Sequence, residues 1–561
     1  MQVYDKALFE TKFNDVNHTV ELYLDSSDGE SDNQIYKYPI NPNSVVNLTI
    51  EDTLADWIIK GHLTFFYNPE AGTGEIDYFL GQNRDATTGI SSLEPKPFYS
   101  FRNDGKDRLR IRVIPNLEDT NIQEQTSLQG LIISDRKHWS LSGIFSVYDV
   151  EDIGNVPGAQ NASSTSIKCL KIYFWDEWYQ KMLTNHIEYS TAKSNSDQKL
   201  KTGLAMKEII EKGLKNGAGS YLDSTDGQPI NEDEWEEGSS NIFFTTPVQT
   251  TAYESLMYVY NKHASEKFLS IPSFSSSGVP KDKAYDFSLL IKERGPDEYG
   301  VGQLTLKPVS TFFEKAGKGE ESPGPYQMEH FFVQSYGNTE KGINPFRAPF
   351  SKKNSDTIDF KSLKYSVISN YRFVDIAAAM NFTNFCTTPV YSFDFKNRMF
   401  NIEFGANSVE TARKFIAEKY IKNLYINSRG DIEKLFLITL DNDKKQKNNT
   451  NIKPTFSLYG DEEDFSVRQS DGLKKMLYCG LFQNACINFK TLGLSFREPG
   501  RFIAIDKTEG VDSGDFPDKF YGQWFVINVR HVFESEAYYN DITAVKIYRF
   551  DEQSFKFPGT F

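Results

Sequence analysis

Apolar residues recur at every second position through both ends of this 561-residue chain, and that period decides which backbone it can adopt. Val20, Leu22 and Leu24 fall on one face, and Leu109, Ile111 and Val113 alternate with Arg108, Arg110 and Arg112. Leu170, Ile172 and Phe174 alternate with Cys169, Lys171 and Tyr173, and Phe400, Ile402 and Phe404 repeat the pattern. Successive side chains of a strand point to opposite faces, so each run puts one face in a core and the other in water or an interface. Aromatic residues make up 14% of the chain, with 44 Phe and 30 Tyr, and such side chains suit pleated, half-buried surfaces. The region up to about residue 180 therefore reads as an antiparallel sheet or barrel with long polar loops, Asn68–Pro97 among them.

The middle of the chain changes period. Trp178, Met182 and Ile187 suggest one helix, and Leu200, Leu204 and Ile210 a second that ends before Gly217 and Gly219. The acidic run Glu232 to Glu237 reads as a solvated loop, with a cation site or docking patch as the lesser alternative. Thr251 and Glu254 have the spacing of a capping box, and Ala252, Leu256, Val259 and His263 follow at helical intervals. His263 reads as a structural residue rather than a ligand. Strand-like stretches at Tyr285–Lys292 and Gly302–Leu306 complete a small α+β unit, and Phe312 and Phe313 read as core. Gly317, Gly319, Pro323, Gly324, Pro325, Pro345 and Pro349 give residues 315–361 the composition of a linker. Beyond it, Ser408 is placed to cap a helix carrying Ala412, Phe415, Ile416 and Tyr420. A second helix is expected through Leu473, Met476, Leu477 and Leu481, and the polar stretch Asp443–Asn451 reads as a loop.

Several function classes are disfavoured. The longest apolar-leaning run, Leu477–Phe489, is broken by Gln483, Asn484 and Asn488 and falls short of the roughly 18 residues of a membrane helix. The first residues carry no cationic head before an apolar core, so no cleaved signal peptide is expected. Lys and Arg number 62 against 77 Asp and Glu, a net charge of −15 that works against generic binding to phosphate backbones. Cys169, Cys386, Cys479 and Cys486 match neither a disulfide framework nor a zinc spacing, and seven dispersed histidines offer no ligand pair. Phosphate-binding loops, zinc helices and nucleophile elbows are absent as motifs. Two Asp-rich stretches, at Asp25–Gly29 and Asp441–Asp443, miss the calcium-loop order. No catalytic residue, cofactor site or metal site is assigned.

One constellation stands out near the carboxyl end. Thr491 to Asp506 reads as strand, Arg497-x-Pro499-Gly500 turn, strand; an acidic Gly/Asp loop follows; Gly522-x-Trp524-x-Val526 then leads to Val529-x-His531-x-Phe533 and a closing strand over Ile542–Phe550. In these residues, and in the segment from Thr250 through Leu304-Thr-Leu306 to Phe313, the chain resembles the baseplate hub proteins of contractile-tailed phages. The likeness spans roughly 250–315 and 365–550, and over 1–180 it is one of architecture only. It does not extend to the insertion at 176–240.

The resemblance implies a mainly β chain with two hub-type antiparallel β-barrels linked by a mixed α/β middle. The expected division is a tube-like barrel over 1–180, a helical insertion with its acidic loop over 181–240, an α+β domain over 241–335, a linker over 336–364 and a second barrel with two helices over 365–561. It further implies a non-enzymatic homotrimer in the virion tail baseplate, assembled in the host cytoplasm. Such a ring adapts a hexameric tail tube to a trimeric central spike, meets other baseplate proteins, and passes genomic DNA without binding it, with no membrane contact. The alternatives are a hub or spike component of a type VI secretion or related injection system, and a tail adhesin marked by an exposed aromatic cleft. Arg108, Arg110 and Arg112 are candidates for meeting an acidic neighbour, against the plainer reading of a solvated strand face.

Overall fold

The computed structural model describes residues 18–27, 35–40, 44–54, 56–67, 79–80, 100–101, 107–115, 141–155, 168–191, 200–215, 229–238, 241–242, 244–263, 265, 268–269, 284–285, 288–292, 303–308, 311, 329–333, 365–374, 390–394, 399–403, 455–459, 486–495, 497–506, 522–534 and 537–545. Among them a single sheet of 13 strands dominates. Its amino-terminal part runs, in spatial order, Ile35–Pro39, His18–Ser27, Arg108–Pro115, Leu141–Asn155, Lys168–Asp176, Asp56–Tyr67 and Val45–Thr53. Every pairing in this part is antiparallel. The alternating residues behave as the period requires: Leu22, Leu24, Leu109, Ile111, Val113, Leu170, Ile172 and Phe174 share one buried core.

The carboxyl-terminal part continues from Val45–Thr53 through Gly522–Glu534, Phe502–Asp506, Glu329–Val333, Tyr365–Val374, Cys486–Leu492 and Ala537–Val545. Ala537–Val545 pairs back onto Gly522–Glu534, so these strands close on themselves and leave no free edge. Glu329–Val333 lies parallel to both of its neighbours, the other ring pairings being antiparallel. That strand falls inside the segment whose proline and glycine content reads as linker. Two closed barrels were expected, and the described residues contain one. The amino-terminal part curls but stays open, because Ile35–Pro39 at its far end has a described partner on one side only.

Ile527 marks where the two parts join. Along one edge of Gly522–Glu534, residues up to Phe525 pair with Phe502–Asp506, and residues from Asn528 pair with Val45–Thr53. At the hand-over the Ile527 carbonyl accepts the Leu54 amide at 2.9 Å and the Thr53 hydroxyl at 3.3 Å. A register shift between Val526 and Asn528, on the side facing Ala537–Val545, gives the strand the extra local twist that a change of partner needs. Phe533 and Tyr538 then reach across to complete the amino-terminal core.

A second core belongs to the middle of the chain. Helix α1 (Glu177–Thr184) contributes Trp178 and Met182, α2 (Thr202–Lys215) contributes Ala205, Met206, Ile209 and Ile210, and α3 (Ala252–Tyr260) contributes Leu256 and Val259. Ile187 lies past the end of α1 and Leu200 in a two-residue strand before α2, so the two expected helices are shorter than the apolar spacing suggested. The Thr251 capping box forms as expected: its hydroxyl accepts the Glu254 amide, and the Glu254 carboxylate accepts the Thr251 amide. The helices pack with a three-stranded sheet in the order Ile230–Trp235, Leu304–Pro308, Ser288–Lys292. The acidic run is thus mainly a strand, parallel to Leu304–Pro308, rather than a loop, while Glu232, Asp233 and Glu237 are solvated as expected. The helices expected after Ser408 and through Leu473, the loop at 443–451 and the pair Phe312 and Phe313 lie outside the described residues.

Candidate functional site

The constellation singled out at the carboxyl end is the joint between the two parts of the large sheet. Arg497 is only 4% exposed, and a buried guanidinium must be satisfied by its surroundings. Its Nη1 donates to the Leu492 carbonyl and, at 2.8 Å, to Asn540 Oδ1, and its guanidinium lies 5.4 Å from the centre of the Phe331 ring. Asn540 Oδ1 also accepts the Leu494 amide at 2.7 Å, and Asn540 Nδ2 lies 2.9 Å from His531 Nδ1. The Tyr538 hydroxyl is 2.8 Å from the same nitrogen, and His531 Nε2 is 3.1 Å from the Arg497 carbonyl. That carbonyl can only accept, so Nε2 carries the ring proton and Nδ1 accepts from both Asn540 and Tyr538. The network therefore runs as a closed circuit through one turn and two strands.

Two glycines make the circuit possible. Gly500 has φ 85°, a region closed to most side chains, and its amide donates to the Val526 carbonyl at 2.9 Å. A Cβ on Gly493 would stand 2.3 Å from the Tyr538 ring, which lies stacked on Phe533 at 3.9 Å. Pro499-Gly500 thus turns the chain, Gly493 admits the tyrosine, and His531 reads the turn from the neighbouring strand. The order of the motif residues was legible; Asn540 and Tyr538, which hold them together, carried no signal of their own. This arrangement fixes backbone geometry and offers no reacting atom to solvent.

The arginine row has a different fate. Arg108 pairs with Glu177 at 2.8 Å, Arg110 is buried and Arg112 is half-buried, so an internal helix supplies the acid that Arg108 meets. The acidic strand is similarly neutralised: Glu232 pairs with Lys207 at 2.5 Å, Glu234 with Lys307, and Glu237 with Lys201 at 3.0 Å. Glu236 turns inward to His263, Ser265 and Ser288. Asp176, fully buried at the start of α1, accepts the Ile59 amide at 2.6 Å and pairs with Lys292, which fastens the small sheet to the large one. Burial lifts the Asp176 carboxyl above its ordinary range, with Lys292 pulling the other way. Cys169 and Cys486 are free, and burial pushes both thiols up, away from nucleophilic use.

Among the described residues no group of three or more His, Cys, Asp or Glu is placed to hold a metal ion. No described helix is long and apolar enough to cross a membrane. Among the described residues the exposed large apolar side chains are Phe66, Tyr148, Ile153, Val248 and Tyr258, with Tyr148 stacked on Trp175 at 3.9 Å.

No family model matches the chain, and no curated protein does. Solved structures do. A tail protein from Neisseria meningitidis MC58 aligns at 7% identity and TM-score 0.37 over 94% of this chain and 96% of that one. The 43 kDa tail protein of prophage MuSo2 from Shewanella oneidensis aligns at 8% identity and TM-score 0.37 over 94% and 97%. The E. coli c3393 protein, a type VI secretion system component described as similar to T4 bacteriophage tail proteins gp27 and gp5, aligns at 7% identity and TM-score 0.33 over 90% and 74%. The resemblance is general, to tail proteins and type VI secretion components alike.

Proposed function

We propose that this chain is a structural hub component of a contractile injection machine, of the type VI secretion or phage-tail kind. The observation that carries the reading is the joint at Ile527. There an open, curled sheet is fused to a closed ring of strands, held by the Arg497-x-Pro499-Gly500 and His531 residues through which the sequence resembles hub proteins. A rigid joint between two β modules suits a part that must keep its shape while a neighbouring sheath moves. A buried polar circuit favours one geometry over alternatives.

In this reading three copies form a ring around a channel, each giving two β modules, and so adapt a six-fold tube to a three-fold spike. The partners are then the tube, the spike and, in a virion, the other baseplate proteins, and the chain's work is assembly rather than catalysis. The net charge of −15 fits a channel that DNA or another acidic cargo traverses without adhering. Light scattering on the purified protein tests the ring. A mass three times 64.2 kDa is expected, alone or with a spike partner, and a monomer under every condition overturns the reading.

A further inference from the structure

His263 sits in a buried cluster assembled from four separate elements of the middle module. It follows α3, and its side chain is 2% exposed. Its Nδ1 lies 2.9 Å from the hydroxyl of Thr202, the first residue of α2, and its Nε2 lies 3.1 Å from the hydroxyl of Ser288 in the small sheet. Ser288 donates its one hydroxyl proton to Glu236 Oε2, and Ser265 donates to Glu236 Oε1 at 2.5 Å. Since the Ser288 proton is committed to the carboxylate, its oxygen must accept from His263, so Nε2 bears a proton. Glu236 Oε2 is itself 3.8 Å from Nε2.

These contacts leave Nδ1 as the one ring position that can change. In the neutral ring it accepts the Thr202 hydroxyl proton. In the doubly protonated ring it donates to the same oxygen, and the hydroxyl turns its own proton away. Both states keep these hydrogen bonds with the heavy atoms in place. Only the charged state adds an attraction between the imidazolium and the Glu236 carboxylate, relayed by Ser288.

We infer that His263, Ser288 and Glu236 form a protonation-dependent lock that ties α2 and α3 to the small sheet. The lock tightens when the ring takes up its second proton and slackens when that proton is lost. Among the described residues, the charges on the elements packed around the ring have partners of their own. Glu234 pairs with Lys307 of the neighbouring strand, Glu237 with Lys201 beside α2, and Lys292 of the small sheet with Asp176. On α3's own side Lys262 lies over the Tyr258 ring at 4.0 Å, and the Tyr260 hydroxyl donates to the Ser288 carbonyl at 3.1 Å. His186, another described histidine of the module, is exposed and bridges to Thr251 through backbone.

Hydrogen exchange on the full chain tests the lock, read as protection of α2 and α3 amides after correction for the chemical exchange rate. One ring proton changes an opening equilibrium by at most about tenfold per pH unit. Protection in the unaltered protein is expected to be higher at pH 5.5 than at pH 8.0, by about fivefold or more. His263→Gln, which keeps a donor toward Ser288 but cannot gain charge, should reduce that ratio to under about twofold, and Glu236→Gln should do the same. A flat or inverted ratio in the unaltered protein overturns the inference even if both variants misfold. So does a Gln variant that folds and retains the full pH dependence.

Discussion

At Asn540 one amide group serves three partners: it accepts from the Leu494 amide and from Arg497, and it donates to His531. Asn540→Ala would withdraw an acceptor from a buried guanidinium and a donor from a buried imidazole. Hydrogen bonds to charged groups contribute about 1.5–3 kcal/mol each, so a loss of about 3 kcal/mol or more is expected in chemical denaturation. An unchanged midpoint would mean that the circuit contributes little. Gly493→Ala attacks the same place from the other side, since the added methyl meets the Tyr538 ring instead of open space. Overpacking of this kind costs roughly 1–3 kcal/mol. At this scale the sequence was partly legible. Pro499-Gly500 announced a turn because φ preferences are local. Asn540 lies 43 residues from Arg497, and nothing local marks an asparagine as the partner of a buried arginine.

Elements were legible where period and caps are local properties. The alternation at Leu109, Ile111 and Val113 and the Thr251 cap both appear in the structure as read. Thr251→Ala is expected to lower stability by about 1 kcal/mol, the usual worth of such a cap. The acidic strand was misread because its composition opposes strand formation, and its pairing is non-local. Leu304–Pro308 supplies the parallel neighbour, and lysines at 201, 207 and 307 neutralise its acids. The Asp176–Lys292 pair decides how the small sheet docks. Removing one partner strands a buried charge, so Lys292→Met alone is expected to cost about 3–5 kcal/mol. Lys292→Met combined with Asp176→Asn should recover most of that, which thermal unfolding of single and double variants would read. The pH dependence follows from the raised Asp176 carboxyl. Its ionised form is less favourable in the folded chain than in the unfolded one, so the penalty is present above the folded value and is relieved as pH falls through it.

For the whole molecule, the period foretold a β-rich chain with a mixed middle but not how its strands would close. Closure depends on Glu329–Val333 entering between Phe502–Asp506 and Tyr365–Val374, and on Ile527 passing one edge from one partner to another. Neither event leaves a pattern in neighbouring residues. The same join governs which fragments can stand alone. A chain ended before Gly522 would lack the neighbour of Val45–Thr53 and the Phe533 and Tyr538 rings of the amino-terminal core. Such a fragment is expected to elute as aggregate in size-exclusion chromatography, because a bare strand edge templates further pairing. A monodisperse, folded fragment would show the join to be dispensable. The hydroxyl of Thr53 reaches a carbonyl 474 residues further along. With translation at about 5–20 residues per second, the earliest strands leave the ribosome roughly half a minute or more before their last neighbour exists. Throughout that wait the nascent polypeptide must be shielded from its own kind, which makes chaperone supply, more than intrinsic stability, the factor expected to govern yield.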